Sequence, residues 1–144
     1  MISGMTNKPV KLPKGYKPAA REKYMNPKQV EYFRQKLTDW RESLVLESQQ
    51  TLDHMRAAQQ EGGDDAERAS RETEMNFELR TRDRYRKLLK KIGEALSRIE
   101  EGEYGFCEET GDPIGIGRLE ARPIATMSVE AQERREKLER QYGD

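Results

Sequence analysis

Three carboxylates close together near the middle of the chain are the residues best placed to do chemistry. They are Asp64, Asp65 and Glu67, with Glu61 just before them. Asp64 followed three residues later by Glu67 is close to a capping box, in which acids satisfy the first backbone amides of a helix and favour its dipole. Acids at the end of a helical rod can also meet basic side chains or a metal ion in a narrow cavity. Both roles are compatible, because the cap needs only Asp64.

Other reactive side chains are too few to build a catalytic site. The chain has one histidine, His54, and one cysteine, Cys107. A single cysteine excludes an internal disulfide and an all-cysteine metal site within one chain. There is also no glycine-rich loop of the kind that cradles phosphate groups. The sequence therefore predicts a protein that is not an enzyme.

A dense run of basic residues occupies the segment 78–91. Its members are Arg80, Arg82, Arg84, Arg86, Lys87, Lys90 and Lys91. Charge runs on long helices are usually solvated faces. Together with Arg118 and Arg122, however, this run could accept an anionic ligand.

A long helix is predicted to carry the residues before the acidic cluster. Asn26 can cap this helix, and Pro27 suits its first position, where a missing N–H has no consequence. The apolar residues that follow are spaced by three and four, as in a coiled-coil seam. They are Val30, Phe33, Leu37, Trp40 and Leu44.

A second long helix begins at Asp64–Asp65 and extends to about Glu101, again with apolar residues spaced by three or four. These are Tyr85, Leu88, Ile92, Leu96 and Ile99. The pair Gly62–Gly63 can turn the chain between the two helices. The sequence thus predicts an antiparallel coiled-coil hairpin over residues 25–101, with its tip at 61–69 and its base packed on a globular part.

The remaining segments flank this hairpin. Residues 1–24 form a basic extended arm with three prolines, more typical of a solvated terminus than of a contact with nucleic acid or an acidic protein. Residues 102–127, here called the knob, are rich in glycine and contain Phe106, Ile114, Ile116, Leu119, Ile124 and Met127. Ser128 can cap a C-terminal helix within 128–144. The predicted fold class is all-α.

The amino-acid composition limits the kinds of binding partner that are expected. The chain has 27 Lys and Arg residues against 27 Asp and Glu residues, so its net charge is zero. A protein that relies on attraction to phosphates needs an excess of cations, so a protein partner is favoured over nucleic acid. No apolar run is long enough to span a membrane, and the start lacks the apolar region of a secretory signal. We expect a cytoplasmic protein.

Four separated segments resemble a known family. KYMNPKQVEYFRQKL, DDAERA, ELRTRDRYRKLLKKI and EEGEYGFCEETGDPIGIGRLEARPIA are similar to the DksA branch of the DksA/TraR family over about residues 24–142. The resemblance implies a coiled-coil hairpin, a globular domain and a C-terminal helix. It also implies a monomer that binds bacterial RNA polymerase at its secondary channel without contacting DNA. With guanosine tetraphosphate (ppGpp), such proteins modulate initiation at ribosomal RNA and amino-acid promoters in the stringent response.

The resemblance also assigns roles to individual residues. Asp64, Glu67 and Ala69 match the tip that approaches the polymerase active site, with Glu67 one methylene longer than the usual aspartate. Arg84 matches the contact with the polymerase rim. The ppGpp site at the polymerase interface corresponds to Leu88, Lys91 and Arg122. Gln132 replaces a lysine usual in the last helix, which implies a weaker response to ppGpp.

This sequence departs most from the family pattern at the zinc site. Typical members carry C-x-x-C twice, and the corresponding positions here are Cys107, Thr110, Ser128 and Ala131. Tetrahedral zinc needs four good ligands, which this set does not supply. We therefore expect a zinc-finger-like knob without zinc, in which apolar residues replace the metal.

Two other functions remain open at the level of sequence. The hairpin could serve a cofactor of transcript cleavage, as in the Gre factors, whose tip acids help to hold a catalytic metal. It could also be a plain coiled-coil adaptor, which would not bind polymerase.

Overall fold

The computed structural model describes residues 10–59 and 64–142 of the chain. These residues contain four helices and no strand: α1 (Pro27–Gln59), α2 (Asp65–Glu101), α3 (Ile116–Ala121) and α4 (Val129–Tyr142). The predicted all-α class with a long helical hairpin is confirmed. The turn expected at Gly62–Gly63 and the first nine residues of the basic arm lie outside the described residues. None of the described helices has both the length and the apolar character needed to cross a membrane.

The start of α1 follows from its first residues. Asn26 Oδ1 accepts a hydrogen bond of 2.9 Å from the backbone N–H of Gln29. The Gln29 side chain in turn accepts one of 2.7 Å from the N–H of Met25. This reciprocal pattern resembles a capping box, and it leaves Pro27 at the first helical position, where no N–H is needed. The side chain of Gln29 is fully buried.

The chain divides into two compact units, which we call the hairpin unit (Asp39–Ile92) and the knob unit (Met1–Thr38 with Gly93–Asp144). In the hairpin unit, parts of α1 and α2 bury Leu44, Met55 and Ile92. A polar contact also joins the two helices, since His54 Nε2 lies 3.0 Å from Glu78 Oε1. Residues 64–70 are all exposed, so apolar burial is thin towards the tip.

The knob unit holds most of the buried apolar side chains. They include Phe33, Leu37, Ala95, Ile99, Tyr104, Cys107, Ile114, Leu119, Ile124, Ala125, Met127 and Ala131. Two details correct the expectations from sequence. Ala95 is buried and Leu96 is only half-buried, because the seam continues from Ile92 by steps of three and four. Ile116 is also half-buried, because it opens α3, whereas Leu119 of the same helix is fully buried.

The described part of the basic arm is attached to the fold, unlike a solvated terminus. The hydroxyl of Tyr16 and the backbone N–H of Ala19 each donate a hydrogen bond of 2.9 Å to Glu22 Oε1. The amide of Gln29 donates to the same oxygen and to the carbonyl of Ala19, both at 3.3 Å. The arm is therefore anchored between Tyr16 and the start of α1, although its cations remain exposed.

Candidate functional site

The acidic residues before α2 act first as a helix cap. Asp64 Oδ1 accepts a hydrogen bond of 2.8 Å from the backbone N–H of Glu67, which confirms the predicted capping role. Asp65 and Glu67 lie in the first turn, where their charges favour the helix dipole. Asp64, Glu67 and Ala69 are all exposed. The Asp64 carboxylate is thus held by the cap, and all three carboxylates are exposed to a partner.

The tip does not assemble a metal site from the part of the chain that the structure describes. No group of three or more His, Cys, Asp or Glu side chains is close enough there to hold a metal ion. Asp65 and Glu67 also have no described side chain as a partner. The described part of the tip presents exposed carboxylates.

The basic run on α2 presents its charges to solvent. Arg84 and Lys91 are exposed, and Leu88 is half-buried. Leu88 and Lys91 are three residues apart and so lie on neighbouring positions of one helix face. Asp83 pairs with Arg86 at 2.9 Å and does not engage Arg84. Arg84 and Lys91 are therefore available to an anionic group.

The remaining residues of the expected anion site lie in the knob unit. Arg122 follows α3 and is exposed, with its backbone N–H bonded to the carbonyl of Arg118 at 2.7 Å. Arg118 Nε donates to the carbonyl of Met127 at 3.0 Å, so part of its guanidinium is engaged within the knob unit. Gln132 donates to Glu136 at 2.9 Å, so its amide already has a partner on the same helix.

One polar cluster of the knob unit was not predicted from sequence. The Tyr32 hydroxyl donates to the carboxylate of Glu120 at 2.8–2.9 Å, and Lys36 Nζ lies 3.0 Å from the same group. Burial, with the adjacent Glu120 carboxylate, raises the pKa of Tyr32 to about 12. The cluster joins α1 to α3. No local pattern could reveal it, because Glu120 is 88 residues from Tyr32 in sequence.

The four positions that hold zinc in typical family members are occupied here by a hydrogen-bonded cluster. Burial opposes ionisation of the Cys107 thiol, but hydrogen bonds from the Thr110 side chain and from the backbone of Ser128, Thr110 and Glu109 prevail and lower its pKa to about 6. Ser128 Oγ accepts the backbone N–H of Ala131 at 3.2 Å, which caps α4 as predicted. Ala131 is fully buried.

This cluster does not fit a zinc ion. Only Cys107 supplies a thiol, and the Ser128 hydroxyl is used as a helix cap. The Thr110 hydroxyl is directed to the Cys107 sulfur, and Ala131 has no ligating atom. Four-coordinate zinc needs Cys, His or carboxylate ligands, which the other three positions lack. The knob is instead held by hydrogen bonds and by buried side chains.

Comparison with known proteins gives two adjoining family matches. Residues 29–99 match the family described as DnaK suppressor protein DksA, N-terminal domain. Residues 102–137 match the prokaryotic dksA/traR C4-type zinc finger. Of the four cysteines in that description, only Cys107 is present in this chain.

Individual relatives cover nearly the whole chain. The RNA polymerase-binding transcription factor DksA of Caulobacter vibrioides (strain NA1000 / CB15N) is 56% identical over 90% of this chain and 91% of its own length. The protein of the same name from Escherichia coli (strain K12) is 42% identical over 83% of this chain and 80% of its own. The solved structure of transcription factor DksA2 from Pseudomonas aeruginosa is similar with a TM-score of 0.78 and 42% identity, covering 84% of this chain and 95% of that one. From these matches, and from a helical hairpin followed by a knob and a final helix, the chain belongs to the DksA/TraR family.

Proposed function

We propose that this protein is a transcription regulator that binds RNA polymerase and acts through its secondary channel. The observation that carries the proposal is the match to a relative named RNA polymerase-binding transcription factor at 56% identity over 90% of the chain. A regulator of this kind works by binding and needs no catalytic residues of its own. We place it in the cytoplasm as a monomer that makes no direct contact with DNA.

The hairpin tip is the part proposed to act near the polymerase active site. Asp64 and Glu67 are exposed at the start of α2, and the cap holds the Asp64 carboxylate in place. A thin pair of helices can carry these charges into a narrow channel, where they meet basic groups or the bound metal of the polymerase. Ala69 keeps the surface small beside them. We propose that Asp64, Glu67 and Ala69 are the residues through which the protein changes transcription initiation.

Arg84 is proposed to anchor the hairpin at the rim of the channel. Its guanidinium is exposed and can form a charge-assisted hydrogen bond with a carboxylate or a carbonyl oxygen. Because Arg84 is 17 or more residues from the tip acids in sequence, affinity and activity should separate in variants.

Leu88, Lys91 and Arg122 are proposed to contribute to a ppGpp site that polymerase completes. Lys91 and Arg122 are exposed cations suited to phosphate groups, and Leu88 offers an apolar surface beside Lys91. Gln132 brings no charge and is already bonded to Glu136, so the response to ppGpp should be modest. The free protein should bind ppGpp weakly.

Titration of fluorescently labelled protein with RNA polymerase core enzyme tests this function. Arg84→Ala should weaken binding by about 1–3 kcal/mol, the range of a hydrogen bond to a charged group. Arg56→Ala, which removes an exposed arginine from α1, serves as the matched control and should bind normally. Absence of any binding by the unmodified protein would refute the proposed function.

A promoter assay with and without ppGpp tests the effector site. Lys91→Ala should reduce the additional effect of ppGpp while leaving the effect of the protein alone intact. An unchanged response would remove Lys91 from the site. Cleavage of RNA in a backtracked complex would instead favour a Gre-like cofactor.

A further inference from the structure

The described part of the basic arm presents an unusual concentration of exposed positive charge. Its five cations are all exposed: Lys11, Lys14, Lys17, Arg21 and Lys23. Among them, Arg21 interacts electrostatically with the adjacent Glu22 carboxylate, and the four lysines have no described acidic partner. Its single acid, Glu22, is directed into the fold, where Tyr16, Ala19 and Gln29 donate hydrogen bonds to it. The arm therefore carries a clear excess of exposed positive charge, with one carboxylate against five cations.

The arm is also held in a defined conformation. A turn at Lys14–Gly15 is closed by a hydrogen bond of 3.0 Å from the N–H of Tyr16 to the carbonyl of Pro13, and Gly15 supplies the positive φ of 75°. Further along, the Glu22 contacts and the Tyr24 hydroxyl hold the chain. Cations on an ordered segment lose less entropy on binding than those on a free tail. A solvated tail would need none of these anchors.

The surroundings of the arm favour a protein surface over nucleic acid. Tyr24 contacts Gly105, which lies in a stretch whose acids are exposed: Glu103, Glu108, Glu109 and Asp112. The arm tyrosines are half-buried and bonded, so no exposed ring is available to stack on bases. Exposed cations on the arm and exposed acids on this stretch suit a protein surface with the complementary pattern of charge.

We propose that the basic arm, residues 10–24, is a docking surface for an acidic patch on a partner protein. This inference rests on the proposed function, so the partner is RNA polymerase. The arm makes a contact with polymerase that is separate from the contact made by the hairpin. Charges at the edge of an interface act mainly on the association rate and on its salt dependence. Their effect should fade as the screening length falls with added salt.

The experiment compares polymerase binding by three full-length proteins at low and high ionic strength. The test variant is Lys11→Gln, Lys14→Gln and Lys17→Gln together, and the matched control replaces the same three residues with arginine. We expect the glutamine variant to bind about tenfold more weakly at low salt, with a smaller difference at high salt. The arginine variant should bind like the unmodified protein, because its charge is retained.

The outcomes separate this proposal from the proposed function. If the unmodified protein binds polymerase and the glutamine variant binds equally well at both salt concentrations, the arm is not a docking surface. If the unmodified protein does not bind polymerase, the proposed function fails first, and binding of polyglutamate by the arm then tests the acidic-partner chemistry alone. Binding of a short DNA duplex that is lost in the glutamine variant, with polymerase binding unchanged, would assign the arm to nucleic acid and overturn the proposal.

A second variant protects the test against a folding artefact. Arg21→Gln with Lys23→Gln removes charge from the other end of the arm and should also weaken binding at low salt. Both variants should melt close to the temperature of the unmodified protein, because the replaced side chains are exposed and form no described hydrogen bond.

Discussion

The hydroxyl of Tyr24 donates a hydrogen bond of 2.6 Å to the carbonyl oxygen of Gly105, which lies 81 residues further along the chain. The same hydroxyl accepts a hydrogen bond of 2.9 Å from the backbone N–H of Gly115. Its ring also meets the ring of Phe106 edge-on at 5.4 Å. A Cβ atom at Gly105 would come within 2.8 Å of the Met25 side chain, so the close approach requires glycine. Tyr24 thus joins the arm to two turns of the knob.

Replacing Tyr24 with phenylalanine should destabilise the protein while keeping the ring contact. The change leaves the N–H of Gly115 without its partner, and such a loss costs about 1–3 kcal/mol when the group is buried. The carbonyl of Gly105 loses one of its two hydrogen bonds but keeps the one of 2.8 Å from the N–H of Ile114. Urea unfolding measures the difference. Tyr142→Phe is the matched control, because Tyr142 is 83% exposed and its loss of a hydroxyl should be neutral. Equal stability of the two variants would show that the Tyr24 hydroxyl has no structural role.

The local parts of this fold were predictable from sequence, and the long-range contacts were not. The caps formed by Asn26 and Asp64 depend on residues three positions away, so their patterns are visible in the chain. The seam position of Ala95 was missed because alanine gives a weak apolar signal. The contact of Tyr24 with Gly105 depends on tertiary packing, which no local spacing encodes.

The candidate site shows the same difference between local contacts, which were predictable, and long-range contacts, which were not. The direction of Asp64 follows from its capping role and could be inferred from the Asp-x-x-Glu spacing. The hydrogen bonds around Cys107 could not be inferred from sequence, because they come from backbone groups on two separate turns. The roles of Arg84 and Lys91 came from family resemblance and remain predictions, since an exposed cation on a helix looks the same with or without a partner.

Substitutions at Asp64 should separate its charge from its capping role. Asp64→Asn removes the charge but keeps an oxygen that can accept the N–H of Glu67, so stability should stay within about 0.5 kcal/mol. We expect this variant to lose promoter inhibition while it binds polymerase within a few-fold of normal. Asp64→Ala should lose both inhibition and about 1 kcal/mol of stability, because the cap is absent. Full inhibition by the asparagine variant would show that the negative charge is not needed.

Stability should depend on pH through Cys107. Its thiol pKa is lowered from 9.0 to about 6 in the folded protein, so the unfolded chain binds more protons between these values. The stabilisation is therefore fully present above about pH 9 and is lost as the pH falls through about 6. Urea unfolding across this range should show a rise in stability that is absent in Cys107→Ala. Parallel curves for the two proteins would contradict a depressed pKa.

The two apolar residues of α3 should differ in their contribution to stability. Leu119 is fully buried, so Leu119→Ala should cost about 2–5 kcal/mol through lost contacts and a residual cavity. Ile116 is half-buried, and Ile116→Ala should cost clearly less. Thermal unfolding followed by circular dichroism compares the pair. Equal losses would place Ile116 in the core.

Removal of metal should leave the knob unchanged, even though its segment matches a C4-type zinc-finger family. Where zinc is structural, its binding energy is part of the folding free energy, so chelators unfold the domain. Here the Ser128 hydroxyl caps α4, Ala131 is buried, and Tyr104 and Leu119 fill the interior. We expect purified protein to contain little zinc and to melt at the same temperature with and without a chelator. The Cys107→Ser variant should likewise melt at the same temperature with and without the chelator, because the thiol is not part of a metal site. Stoichiometric zinc, or a lower melting temperature after chelation, would show that ligands from outside these four positions complete a site, and the packing of the knob would then need another explanation.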